Sequence, residues 1–273
     1  MVAAQVLTFY VAFREKLFLE ANQVTSPDIS LGPVTAYFFG VVVVLGLILF
    51  IIPLSKLRLV FRALFALMFG WGVFIVIALI LPTSVAYPVA IIAGITWLFW
   101  ARIWLHDLLL LVTLSGAGSV FGFLFSPLTF MIFMLIIAVY DVVAVRFGFM
   151  VWMADKLSES DTLPAFIFPK QIKDWTLSLR VARVGDLKKK EPGEREYAIL
   201  GGGDIGFPLM LTVSVFFDAG LVKAILVGVF ALMGLMGAFL IQLLWLKGKP
   251  MPALPPIAFL SLVGFMIASV FLS

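Results

Sequence analysis

The sequence predicts an all-α polytopic membrane protein with nine transmembrane helices, and three observations carry that expectation. Of the 273 residues, 63% are hydrophobic and 12% charged, where a soluble chain carries about 25% charged residues. The mean hydropathy is +1.19. The charges are also segregated, with none in 29–55, 63–101, 108–140, 224–246 or 250–273. No water-soluble fold of this size could hide that much apolar surface, whereas each bilayer crossing needs roughly 20 apolar residues. Disorder, coiled coil and a secreted disulfide scaffold are thereby excluded. With no cysteine and one histidine, His106, thiol catalysis, thiolate metal sites and any site of two imidazoles are excluded as well. The net charge of +4 reads as a topology signal and calls for no nucleic-acid partner.

Residues 1–19 form the least regular crossing, because Arg14, Glu15 and Lys16 interrupt it. Either an Arg–Glu pair is buried there, or the helix ends at the interface. No basic stretch precedes its apolar run, so it does not resemble a cleaved signal peptide. The second helix is expected near 31–53. The 39 uncharged residues of 63–101 would run about 58 Å as one helix. They divide at Leu81-Pro82-Thr83-Ser84 into helices near 59–81 and 85–104. The next stretch divides at Ser126-Pro127, giving 107–126 and 127–147, since proline suits a first helical turn. Three further helices are expected near 197–218, 222–246 and 252–272. The chain thus reads as six helices over 1–147, a hydrophilic segment over 148–196 and three helices over 197–273. The hydrophilic segment holds nine basic and eight acidic residues, including Ser158-Glu159-Ser160-Asp161 and Lys188-Lys189-Lys190. At about 50 residues it is long for a simple connection, and loops of that length are often functional.

Orientation follows from lysine and arginine. With nine crossings, the loops after helices two, four, six and eight share one side. They hold sixteen of the nineteen basic residues, among them Lys56, Arg58, Arg62, Arg102, Lys247 and Lys249. Those loops are expected to be cytoplasmic, with the N-terminus inside and the C-terminus outside. The protein is expected in the cell membrane as a multi-pass protein.

Most of the fifteen acidic residues lie in the hydrophilic segment or near helix ends. Asp141 and Asp204 do not. A carboxylate at membrane depth costs at least ~2.5 kcal/mol on insertion scales, and such residues are functional candidates by default. Asp141 precedes Arg146 by five residues, roughly 7–9 Å from the cytoplasmic end of helix six. Asp204 lies about seven residues into helix seven, roughly 10 Å from the same side. The two helices run antiparallel, so both carboxyls can face each other at one level and share a proton. Such a pair serves hydrolysis by activated water, proton or cation transport, or structure alone. Gly201-Gly202-Gly203 before Asp204 is a poor helix former and suggests an irregular or strand-like lead-in to helix seven. At membrane depth, backbone of that kind is buried in protein or lines a wet cavity. It could pair with an extended peptide.

At these residues the sequence resembles the intramembrane aspartyl proteases of the presenilin and signal peptide peptidase family. Tyr140-Asp141 matches the YD motif of helix six. Gly201-Gly202-Gly203-Asp204 matches GxGD of helix seven, and Pro252-Ala253-Leu254 matches PAL at the start of helix nine. The resemblance covers essentially the whole chain, is least good in the first helix, and is strongest to an archaeal presenilin homologue. It implies an aspartic endopeptidase with Asp141 and Asp204 as catalytic residues and no metal or cofactor. It further implies that Tyr140, the three glycines and Pro252-Ala253-Leu254 shape the substrate site. Substrates would be transmembrane helices or signal peptides within the lipid bilayer. The inside-to-outside orientation resembles presenilin; signal peptide peptidase is inverted. The alternative is a proton-coupled transporter or cation channel using the same two acids.

Rival proteases fit poorly. A zinc protease of the HExxH type needs two histidines. A serine protease would pair His106 with Ser119, about 20 Å apart on one helix. His106 beside Asp107 reads as interfacial, and Trp97, Trp100 and Trp104 read as a membrane-interface belt.

Overall fold

The computed structural model describes the chain apart from residues 28, 53, 182–193, 247–250 and 272–273. Lys188-Lys189-Lys190, Lys247 and Lys249, which bear on the loop and the orientation, lie outside the described residues. The described residues form α1 (Val2–Ala21), α2 (Leu31–Ile51), α3 (Leu54–Ala78), α4 (Thr83–Phe99), α5 (Ile103–Leu124) and α6 (Pro127–Arg146). Next come α7 (Phe149–Glu159), β1 (Ala165–Pro169), two 3-10 turns (Ile172–Thr176 and Leu179–Val181) and β2 (Tyr197–Gly201). The chain ends with α8 (Gly202–Ala219), α9 (Leu221–Leu244) and α10 (Leu254–Phe271).

Five of these helices are long and apolar enough to cross a membrane: α2, Leu57–Ala78 of α3, α5, α6 and α9. Thr83–Phe99 and Leu254–Val270 are apolar but shorter. Expected helix boundaries hold to a few residues in most places, because prolines set them. Ser126 caps α6, its Oγ accepting from the Thr129 N–H at 3.2 Å, and Pro127 follows at the first position.

Two expectations change. Helix seven does not begin at 197: residues 197–201 are strand, and the helix starts at Gly202. The hydrophilic segment carries structure of its own, since α7 and β1 form within it. Trp97 is no belt residue. It is fully buried, stacked on Phe65, set edge-on to Phe69 and covered by the Arg62 guanidinium, whereas Trp100 is exposed.

The described chain divides into two compact units. One comprises Met1–Ala36, Leu114–Phe147 and Gly203–Ser273. Here α9 and α10 pack so closely that a Cβ at Gly234 would stand 2.6 Å from Ile257 Cα, the small-residue contact typical of membrane helices. Buried polar side chains tie α1 into this unit. Gln5 Nε2 donates to Gly228 O at 2.8 Å, and Ser119 Oγ donates to the Glu15 carboxylate. Glu15 is therefore a buried acid held against α5.

The other unit comprises Tyr37–Thr113 and Gly148–Gly202. β1 and β2 pair antiparallel in the register Ala165 with Gly201 through Pro169 with Tyr197. Leu49, Phe61 and Leu157 form an apolar cluster linking α2, α3 and α7. The turn after α7 is locked by Asp161. Its Oδ2 accepts from Arg58 at 2.5 Å, Arg62 at 3.0 Å and Arg180 at 3.4 Å, with the acid itself buried. Asp161 holds a left-handed φ of 60°, so the ion pairs also hold an unfavourable backbone conformation. Asp161→Ala leaves three guanidinium groups facing one another. We expect a loss of about 2–3 kcal/mol, discounted from a fully buried pair because Arg58 and Arg180 are exposed. Arg58→Gln should cost less than 1 kcal/mol. Thermal unfolding in detergent checks the ranking, and equal losses would contradict it.

Candidate active site

Asp141 is placed by periodicity. Phe130, Met134, Ile137, Asp141 and Ala144 recur at spacings of three and four and are buried, so they share one face of α6. Val139, Val142 and Val143 face outward. The acid therefore stands in the middle of the face by which α6 packs inside its unit. Its Oδ2 accepts a hydrogen bond from the Leu254 N–H at 3.2 Å. Leu254 is the first residue of α10 and is buried. An N–H at the first position of a helix has no intrahelical acceptor, so Asp141 satisfies a group that the helix start leaves open. The YD and PAL motifs, 113 residues apart, thus meet through one hydrogen bond. Tyr140 is half-buried beside Asp141, and Pro252 and Ala253 are half-buried just ahead of α10.

Asp204 is the third residue of α8 and lies in its first turn, half-buried. A carboxylate there sits at the positive end of the helix dipole. Gly202 and Gly203 open the helix, and Gly201 closes β2. The triple glycine thus marks a direct strand-to-helix junction, where a Cβ at Gly202 would stand 2.9 Å from Pro164 O, a close backbone approach that suits glycine. Phe207, one turn after Asp204, meets Phe133 of α6 edge-on, with ring centroids 6.1 Å apart. Helices α6 and α8 thus meet through these two rings, eight residues before Asp141 and three after Asp204. Asp141, Asp204 and Pro252-Ala253-Leu254 all belong to the first unit, while Gly201 and Gly202 belong to the second.

The register of the sheet fixes which groups are used. Gly202 N–H donates to Pro164 O at 2.9 Å, and Lys170 N–H donates to Glu196 O at 3.0 Å. Even-numbered residues therefore form the hydrogen-bonded pairs of the ladder. The backbone groups of Ile199 and Gly201 point away from β1.

Sequence reasoning misses His106 and Asp107. They lie in the first two turns of α5 and are buried within the protein. His106 Nε2 donates to Ala165 O at 3.1 Å, and Asp107 Oδ1 accepts from the Ile167 N–H at 3.0 Å. The available signal was a histidine and an acid side by side at the head of a long uncharged stretch.

The model of a protein family described as signal-peptide peptidase, presenilin aspartyl protease matches residues 1–273. Among solved structures, the chain is similar to a presenilin family intramembrane aspartate protease in a C222 crystal form. The TM-score is 0.61 at 17% identity, covering 100% of this chain and 94% of that one. A presenilin family intramembrane aspartate protease in a P2 form gives a TM-score of 0.57 at 18% identity, covering 99% and 98%. No curated protein sequence matches the chain. At these identities the structures speak for the fold.

Proposed function

This chain belongs to the signal-peptide peptidase and presenilin family of aspartyl proteases, and we propose that Asp141 and Asp204 are its catalytic dyad. The protein is a multi-pass intramembrane aspartyl protease. The observation that carries the site is the hydrogen bond from the Leu254 N–H to Asp141 Oδ2. It holds one carboxyl in a fixed orientation beside the PAL motif, while the Phe133–Phe207 contact supports the approach of the helix bearing Asp204.

In the proposed mechanism the dyad holds one proton. The ionised carboxylate removes a proton from water, whose oxygen attacks the scissile carbonyl carbon. The protonated carboxyl donates to the carbonyl oxygen. The tetrahedral intermediate collapses with cleavage of the C–N bond, and the amine leaves with a proton from the dyad. No covalent enzyme intermediate forms, and the residues need no metal or cofactor.

Substrates in this reading are transmembrane helices or signal peptides. Helical carbonyls are shielded, so the substrate must be unwound before attack. The outward backbone groups of Ile199 and Gly201 on β2 offer it a pairing edge, and Pro252-Ala253-Leu254 flanks Asp141. We further propose nine crossings, α1 to α6 and α8 to α10, with the N-terminus cytoplasmic and the C-terminus outside. Arg58, Arg62, Arg102 and Arg146 support this orientation, because nine crossings assign the ends of the chain segments that carry them to the cytoplasm.

Cleavage should follow a bell-shaped pH profile, because the active form carries one proton on two coupled carboxyls. The two apparent constants belong to the pair. A peptide mimic with a hydroxyl in place of the scissile carbonyl should inhibit wild-type protein and bind Asp204→Ala poorly. Initial rates in lipid between acid and neutral pH, with folding checked at each point, test this. A flat profile, or equal inhibitor affinity for Asp204→Ala, contradicts the proposed mechanism.

A further inference from the structure

We infer that His106 and Asp107 are positioning residues of this protease: together they close the outer edge of β1 and pin the sheet to α5. Their contacts hold β1 and, through the β1–β2 ladder, the position of β2, the strand on which substrate is received. The inference rests on the β2-edge reading above and adds what holds that edge in place.

An antiparallel strand presents backbone groups to its two sides at alternate residues. On β1, Pro164, Phe166, Phe168 and Lys170 face β2, as the ladder and its flanking bonds show. Ala165 and Ile167 therefore turn their backbone groups outward, to the side a third strand would occupy. Two consecutive side chains of a helix fill that side. The Ala165 carbonyl can only accept, so His106 Nε2 carries the proton of that bond. Asp107 Oδ1 takes the Ile167 N–H. The two bonded groups stand two residues apart on the strand, the spacing at which a neighbouring strand would engage them.

The contact is built to stay closed. His106, Asp107, Ala165 and Ile167 are all at most 6% exposed. The imidazole is seated edge-on to Phe69 at 5.5 Å. The stretch before it binds the adjoining loop, with Ile103 N–H to Leu177 O at 3.1 Å and Leu179 N–H to Ala101 O at 3.2 Å. Arg102 Nη1 adds a bond to Thr176 O at 2.7 Å. Residues 101–107 thus anchor the loop and the strand on one short stretch of chain. β1 cannot slide on α5 without leaving buried groups unpaired, and its own ladder holds β2 on β1, so the sheet as a whole is fixed on α5. Along the chain β2 leads into Asp204 three residues after Gly201, so a substrate strand held on a fixed β2 pairs in one register.

The test exploits the absence of cysteine in this chain. Ala198→Cys puts a lone thiol on β2, on an exposed position. A strand beside β2 would come within the roughly 4.4–6.8 Å Cα separation that a disulfide needs. Helical reporter substrates, each with a single cysteine at a different position, are incubated with it in lipid under mild oxidation. Captured positions and cut sites are read by mass spectrometry. In the otherwise native background, capture should peak at one position and cutting at one dominant bond. Asp107→Leu and His106→Phe should spread both over positions two residues apart and lower the dominant product roughly tenfold, the effect of one buried backbone group left unpaired. Asp107→Asn keeps an oxygen acceptor and His106→Gln keeps an N–H donor, so both should retain the native pattern. If Asp107→Leu does not fold, the His106→Phe and His106→Gln pair carries the comparison. Unchanged capture and cut positions in the leucine and phenylalanine variants, whatever their melting temperatures, overturn the inference and leave the β2 reading standing. If Ala198→Cys captures no substrate while cleavage proceeds, the β2 reading fails and takes the inference with it.

Discussion

Asp141→Asn or Asp204→Asn, each alone, should abolish cleavage while leaving the fold intact. Asparagine keeps the size of the side chain and, at position 141, an oxygen that can still accept from the Leu254 N–H. It cannot take a proton from water or donate one to the scissile carbonyl. Residues that act as a unit lose nearly everything when one is removed, so the expected loss is roughly a thousandfold or more for either variant. The double variant should be no worse than the singles. Rates on a helical reporter, set beside melting temperatures within a few degrees of wild type, check this. Substantial activity in either single variant would reject the pair as a dyad.

The second large effect is expected from Ile199→Pro. The Ile199 N–H points away from β1, so proline there removes a donor from the substrate edge and spares the β1 ladder. Cleavage of a helical transmembrane substrate should fall roughly ten- to a hundredfold, the equivalent of one or two hydrogen bonds lost from the unwound state. A short pre-extended peptide, which needs no unwinding, should lose less than about threefold. Leu200→Pro makes the contrast. Its N–H faces Phe166 within the ladder, so it should lower thermal stability as well as activity. Leu254 is a poorer probe of the same idea. Because it is buried against the site, a charged residue there would disturb Asp141 itself. Equal losses on helical and pre-extended substrates for Ile199→Pro would place its effect on chemistry or folding and end the strand reading.

Much of this was legible in the sequence because membrane helices leave a coarse signal. Runs without charge mark spans, and prolines such as Pro127 mark where they start. Asp141 stood out because carboxylates avoid apolar surroundings, while its place on the buried face of α6 came only with the structure, since its neighbours are apolar all round the helix. The triple glycine announced a break in helical geometry and proved to be a strand-to-helix junction. What stayed hidden has one cause: contacts between distant segments leave no local pattern. Nothing near Leu254 says that its N–H meets Asp141. Nothing near His106 says that a strand sixty residues later needs its N–H. Glu15 read as a flaw in a first helix until Ser119 supplied its partner. Trp97 read as a belt residue because periodicity cannot tell a lipid-facing indole from a buried one.

The most direct test of the account is product analysis in oxygen-18 water. Purified protein in lipid vesicles is given a reporter with one transmembrane helix, and fragments are identified by mass spectrometry. The account predicts two fragments whose masses sum to substrate plus one water. The cut should lie inside the apolar segment, and one heavy oxygen should appear in the new carboxyl terminus. All of this should be lost in Asp141→Asn and Asp204→Asn. Intact reporter, together with ion flux across the vesicles that depends on Asp141 and Asp204, would contradict it.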